Sequence, residues 1–129
     1  MAAMVARAGA LIYALDLERL AGFYETLLAM GRLHSDAEHV VLSSADFQLI
    51  VHAIPAQYAS GVVVESPPVP REETPIKLFF TVASLLQAEQ EAARLGGRLF
   101  ENEWQGPGFR VRNGCDPEGN IFQLRESIA

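Results

Sequence analysis

The chain repeats itself. Asp16-Leu17 opens one helix-like run and Ser84-Leu85 opens another 68 positions on, while Phe47-Gln48-Leu49 returns as Phe122-Gln123-Leu124 after 75. Around both pairs the pattern runs strand, helix, strand, strand, strand. A repeat this long argues for two copies of one supersecondary unit in a single fold. The two offsets differ by seven residues, which places an insertion in the second copy, most simply in a loop over residues 102–108.

In the first copy, residues 9–15 form an apolar strand. Asp16 caps the following helix, whose stripe is Leu17, Leu20, Tyr24, Leu27 and Leu28, and Gly31 ends it. Strands follow at 32–34, 39–42 and 47–54. Residues 55–75 break the pattern. The crowding of Pro67, Pro68, Pro70 and Pro75 forbids a helix there and leaves a linker with a short edge strand at 62–64. In the second copy a strand at 76–82 precedes Ser84, which with Gln87 makes a capping box. Leu85, Ala88, Ala92 and Leu95 give the apolar stripe, Gly96-Gly97 stop the helix, and strands follow at 98–101, 109–114 and 121–126. Asp116-Pro117-Glu118-Gly119 is a strong turn signal before the last strand. The proline sets φ, the aspartate bonds back to the backbone and the glycine supplies a positive φ.

A length of 129 residues fits one domain, 1–129, with modules at about 8–54 and 76–126 joined by the linker. Ten basic against sixteen acidic residues give a net charge of −6 with no basic cluster, which argues against nucleic acid or an anionic membrane as partner. A single cysteine, Cys115, excludes an intrachain disulfide and fits a reducing compartment. The apolar N-terminal stretch is short, and Asp16-Leu17-Glu18-Arg19 stands where a leader would need small residues. No run is long enough to span a bilayer. The expected location is the cytoplasm.

The βαβββ–βαβββ order, with LDLERLAGFYETLL early and DPEGNIFQLRE late, resembles the glyoxalase/bleomycin-resistance/dioxygenase superfamily, also called vicinal oxygen chelate, over essentially the whole chain. The resemblance implies an α+β fold: two βαβββ modules forming a half-open barrel around a cavity, with helices on the outer face. Enzymes of that superfamily hold a divalent metal with side chains from the first and last strands of each module. By register those positions fall at Gly9, Gln48, Lys77 and Gln123. Glycine has no donor atom and a lysine ammonium has no lone pair, so only two weak amide oxygens remain. Neither a metal nor any other cofactor is expected.

Strand alternation sorts the remaining side chains. Facing inward with Gln48 and Gln123 are Leu11, Tyr13, Leu15, Ile50, His52, Phe79, Thr81, Ile121 and Arg125. Facing outward is a uniformly apolar set: Ala10, Ile12, Ala14, Phe47, Leu49, Val51, Leu78, Phe80, Val82, Phe122 and Leu124. An apolar wall with a few polar groups is what a small-molecule pocket requires. The candidate ligand-binding residues are Tyr13, Gln48, Ile50, Lys77, Phe79, Gln123 and Arg125. Structural readings compete with each of these. The two glutamines can bond one another or water, Lys77 can reach solvent with its stem buried, and Tyr13 can be core or rim. His34 and His39, five apart on short strands or a turn, share no face and make no metal pair. His52 falls at the rim, and Cys115 is a buried structural thiol. Trp104 and Phe109 around Gly106-Pro107-Gly108 form either an aromatic lid or a loop anchor.

Three functions use these residues. The first is a metal-independent small-molecule binder, similar to drug-sequestering members of the superfamily, in which case a homodimer with the ligand between subunits is implied. The second is a metal-dependent lyase, isomerase or dioxygenase. The third is a metal-free enzyme using Lys77 or Tyr13 as acid or base. No residue is assigned as catalytic. The acidic balance suits a cationic ligand, whereas Lys77 and Arg125 argue locally for an anionic or carbonyl group.

Overall fold

The computed structural model describes residues 6–128; the first residues of the apolar N-terminal stretch lie outside them. Each half builds one four-stranded sheet. In the first module β1 (Ala8–Ala14), α1 (Leu17–Leu27), β2 (Gly31–Ser35), β3 (His39–Ser43) and β4 (Phe47–Ala53) assemble in the order β1-β4-β3-β2. A single turn, α2 (Ala56–Ala59), opens the linker. The second module contains β5 (Leu78–Thr81), α3 (Leu85–Arg94), β6 (Arg98–Gly106), β7 (Phe109–Cys115) and β8 (Ile121–Ser127), in the order β5-β8-β7-β6. The first and last strands of each module pair in parallel and the others antiparallel. The helix supplies the crossover a parallel pair needs. Two βαβββ modules are present, and their sheets do not close into a barrel.

Helices α1 and α3 lie on the outer faces over one shared core. All eleven outward residues of the alternation pattern belong to that core or pack against it. Phe23 and Tyr24 of α1 cross the module boundary to reach Phe122 of β8, with ring centroids 5.9 and 6.0 Å apart. The caps form as their sequences dictate. Asp16 accepts from the Arg19 amide at 3.1 Å, and the Ser84 hydroxyl accepts from the Gln87 amide at 3.1 Å.

Several boundaries differ from the sequence pattern. The pattern ends α1 at Gly31, yet the helix stops at Leu27, with Leu28 as C-cap and Ala29 taking the left-handed turn at φ 50°. That leaves Gly31 free to begin β2. Residues 62–64 form no strand. The expected loop over 102–108 is mostly strand: β6 continues to Gly106, and only Pro107 and Gly108 make the hairpin tip. The β6–β7 ladder shifts between Leu99 and Glu103, so the extra residues lengthen a hairpin. Among the described residues no helix is long and apolar enough to cross a membrane.

Candidate functional site

The inner floor of each sheet is set by the parallel pair. Gly9 lies opposite Gln48, and Leu11 and Tyr13 lie opposite Ile50 and His52. A β-carbon added at Gly9 would stand 2.6 Å from the Gln48 carbonyl oxygen, so no larger side chain fits there without shifting the ladder. In the second module the partner of Gln123 is Phe79, not Lys77. Counting back from the helix cap overshoots by two residues. Seven residues separate Gly9 from its cap Asp16, but only five separate Phe79 from Ser84. Lys77 precedes β5 and lines a separate hollow of about 300 Å³ with Asn113 and Ile121. Gln48 and Ile50 line another of about 370 Å³ with Gly9 and Leu11. Between them a cleft of about 620 Å³ runs along the seam of the modules, past Leu11, Ile76 and Ile121.

Around Gln123 the geometry is specific. Its amide oxygen does not meet Gln48; it accepts from Arg125 Nε at 3.0 Å. The Arg125 guanidinium lies 3.8 Å from the centroid of Phe79 and 4.5 Å from that of Phe109. Two rings and one hydrogen bond therefore hold it in place, while its terminal amino groups have no hydrogen-bond partner among the described residues. Beside it Asn113 pairs with Gln123 across the β7–β8 ladder, and its buried Oδ1 also has no partner. Phe109 and Asn113 are absent from the sequence-derived candidates. Extending the alternation from β8 to β7 would have found both, because Phe109, Val111 and Asn113 share one face. Trp104, opposite Val111, is half-exposed on the same sheet, a strand residue rather than part of a lid.

The first sheet carries a row of rings across all four strands. Tyr13 meets His52 edge-on at 5.6 Å, His52 stacks on His39 at 6.0 Å, and His39 stacks on His34 at 4.8 Å. The expectation that His34 and His39 share no face is overturned by a β-bulge. Arg32 pairs with buried Leu42 on the helix side and bonds Glu18 and Glu25 of α1. A regular strand would put His34, two residues on, on the same side. The ladder slips between them, His34 pairs with Val41, and its ring turns to the inner face. Tyr13 is 58 % exposed and stands at the rim with His52, whose Nδ1–H donates to the Ala53 carbonyl at 2.7 Å.

The Asp116 turn serves architecture. Its carboxylate accepts from the Tyr24 hydroxyl at 2.6 Å, from the amides of Glu118 and Asn120, and from the Asn120 side chain. Burial, and then the Asp116 charge, hold the Tyr24 phenol well above its ordinary range, so it remains a donor. Burial also raises Asp116, against the pull of the Tyr24 hydrogen bond. Glu118 accepts from the amides of Leu15 and Asp16, each at 2.8 Å, at the start of α1. Cys115 is fully buried, and burial pushes its thiol up, which disfavours a reactive thiolate.

Two βαβββ modules, each a four-stranded sheet with an open, ring-bearing inner face, define the class of fold. Residues 10–125 match the family model described as a glyoxalase-like domain, and the chain belongs to that family. A glyoxalase/bleomycin resistance protein/dioxygenase family enzyme from Burkholderia phytofirmans PsJN is similar over 96 % of this chain and 100 % of its own, at 15 % identity and a TM-score of 0.70. The bleomycin resistance determinant encoded on the transposon Tn5 is similar over 97 % and 100 %, at 20 % identity and 0.62. The fosfomycin resistance protein FosX from Mesorhizobium loti is similar over 98 % and 94 %, at 12 % identity and 0.62. Likeness at these identities is one of fold. No curated protein matches the chain.

Proposed function

We propose that the protein is a metal-independent, cytoplasmic small-molecule binder that holds a partly apolar ligand between its modules. The observation that carries this reading is the Phe79–Arg125–Phe109 stack with Gln123 locking the arginine Nε. The guanidinium is held against two rings, with its outer N–H groups unengaged among the described residues. Such a group binds a carboxylate, phosphate or carbonyl oxygen, while the rings accept an apolar or aromatic body. The local cation thus outweighs the acidic net charge in setting ligand polarity. Gln48 and Ile50 in the hollow on one side of the seam cleft, Lys77 in the hollow on the other, and Tyr13 at the rim would supply further contacts.

Metal independence rests on donor chemistry. Gly9 and Phe79, opposite the two glutamines, offer no donor atom, and the Gln123 oxygen is engaged by Arg125. One amide oxygen, from Gln48, is left where a divalent ion wants several imidazole or carboxylate ligands. The binder reading is also supported by apolar side chains left open on the inner faces. Leu11, Tyr13, Phe79 and Trp104 are each more than two-fifths exposed. A second copy of the chain closing over them would make the homodimer.

The test is a ligand screen by thermal shift in the presence of EDTA, using aromatic carboxylates and phosphates with neutral and cationic analogues. Anionic or carbonyl ligands should stabilise the protein with EDTA present, and Arg125→Ala should abolish the effect. Binding or turnover that appears only with added metal would overturn the reading in favour of an enzyme.

A further inference from the structure

We propose that His34, Asp36 and His39, on the hairpin joining β2 and β3, form a binding site for one divalent transition-metal ion of the zinc, cobalt or nickel kind. The three side chains each offer a ligand atom, and these atoms lie within 4.8 Å of one another. Both imidazoles converge on one carboxylate: His34 Nε2 is 2.8 Å from Asp36 Oδ2, and His39 Nδ1 is 3.3 Å from Oδ1. Ligands around a tetrahedral zinc ion at about 2.0–2.2 Å stand roughly 3.3–3.6 Å from one another, between the shortest and the widest of these spacings. An ion therefore needs the 2.8 Å His34–Asp36 spacing to open and the widest spacing, up to 4.8 Å, to close, and the His34 side chain that would move is 53 % exposed.

Two features prepare the site. The amides of Glu38 and His39 donate to Asp36 Oδ1 at 2.8 and 2.9 Å, which fixes the carboxylate with Oδ2 turned to His34. Hydrogen bonds of this kind orient ligating carboxylates in metal centres generally. The second feature is the bulge after Arg32, which alone brings His34 to the face of His39. Two imidazole nitrogens and one carboxylate oxygen suit zinc, cobalt or nickel. Magnesium and calcium, which want mostly oxygen, are poorly served. Solvent reaches the outward side, leaving room for water or a ligand atom to complete the coordination. The site uses none of Gly9, Gln48, Phe79 and Gln123, and only the ring row through His52 links it to Tyr13 of the proposed binding surface.

Untagged protein stripped with EDTA and titrated with Zn²⁺ and Co²⁺ tests the proposal. One equivalent of ion should bind. His34→Ala and His39→Ala should each weaken binding at least about tenfold, and Gln123→Ala should leave it unchanged. The chain has three histidines, so a long-range ¹H–¹⁵N spectrum of the wild type resolves three imidazoles without relying on any variant. Zinc should displace the His34 and His39 signals most, with His52 moving less. Absence of stoichiometric binding, binding kept in a His34→Ala/His39→Ala double variant, or a shift confined to His52 would each overturn it.

Discussion

The Tyr24 hydroxyl donates to Asp116 Oδ2 over 2.6 Å, joining the helix of one module to the turn of the other in a site that water does not reach. Hydrogen bonds to buried charged groups are among the stronger ones. Tyr24→Phe should destabilise the fold by about 2 kcal/mol. Asp116→Ala, which strips the partner from four donors, should cost more. Urea unfolding of the two variants checks the order, and equal stability for all three proteins would refute it.

Glu126 sets an acid limit. It accepts from the Leu85 amide at the start of α3 at 2.7 Å and pairs with Arg110, and these contacts, the amide first, hold its carboxyl below the usual range. A depressed folded-state pKa means stability that is complete above the unfolded value of about 4.3 and lost as pH falls through the folded one. The gap between wild type and Glu126→Gln should therefore be open at pH 6 and close in stronger acid. A gap that stays constant with pH would remove Glu126 as its source.

Two glycines should respond in opposite directions to the same change. Gly9→Ala forces a β-carbon against the Gln48 carbonyl and should cost about 1–3 kcal/mol. Gly22, inside α1 with nothing within 4 Å of its added β-carbon, should gain about 0.5–1 kcal/mol as alanine. Thermal unfolding of both variants decides the matter.

Ligand affinity should depend on residues that stability ignores. Phe79→Leu removes one face of the Arg125 stack and Gln123→Leu releases Nε; each should weaken an anionic ligand several-fold, in line with cation–π energies of about 0.5–2 kcal/mol. Because both positions face the open side, their unfolding midpoints should barely move. A loss of stability matching the loss of affinity would mean the stack is structural.

The fold was legible because period-2 alternation and helix caps are local signals. All eleven outward residues follow from parity once Gln48 and Gln123 are set inward, as the superfamily resemblance implies. The site was less legible for two reasons, both of register. A connection two residues shorter in the second module put Phe79, rather than Lys77, opposite Gln123. A bulge between Arg32 and His34 reversed parity in mid-strand and created the histidine row. Neither event leaves a mark in composition or spacing, since both depend on how a strand meets its neighbour.

The carboxylate of Glu118, from the second module, also ties down the N-cap of α1 and the residue before it by accepting from Leu15 and Asp16. Amides at a helix start ordinarily exchange their hydrogens through fraying, long before the rest of the molecule opens. Here release needs the two modules to part. Leu15 and Asp16 should be among the slowest-exchanging amides in native-state hydrogen exchange, with an opening energy equal to that of global unfolding. In Glu118→Ala they should revert to the fast exchange of an ordinary helix end.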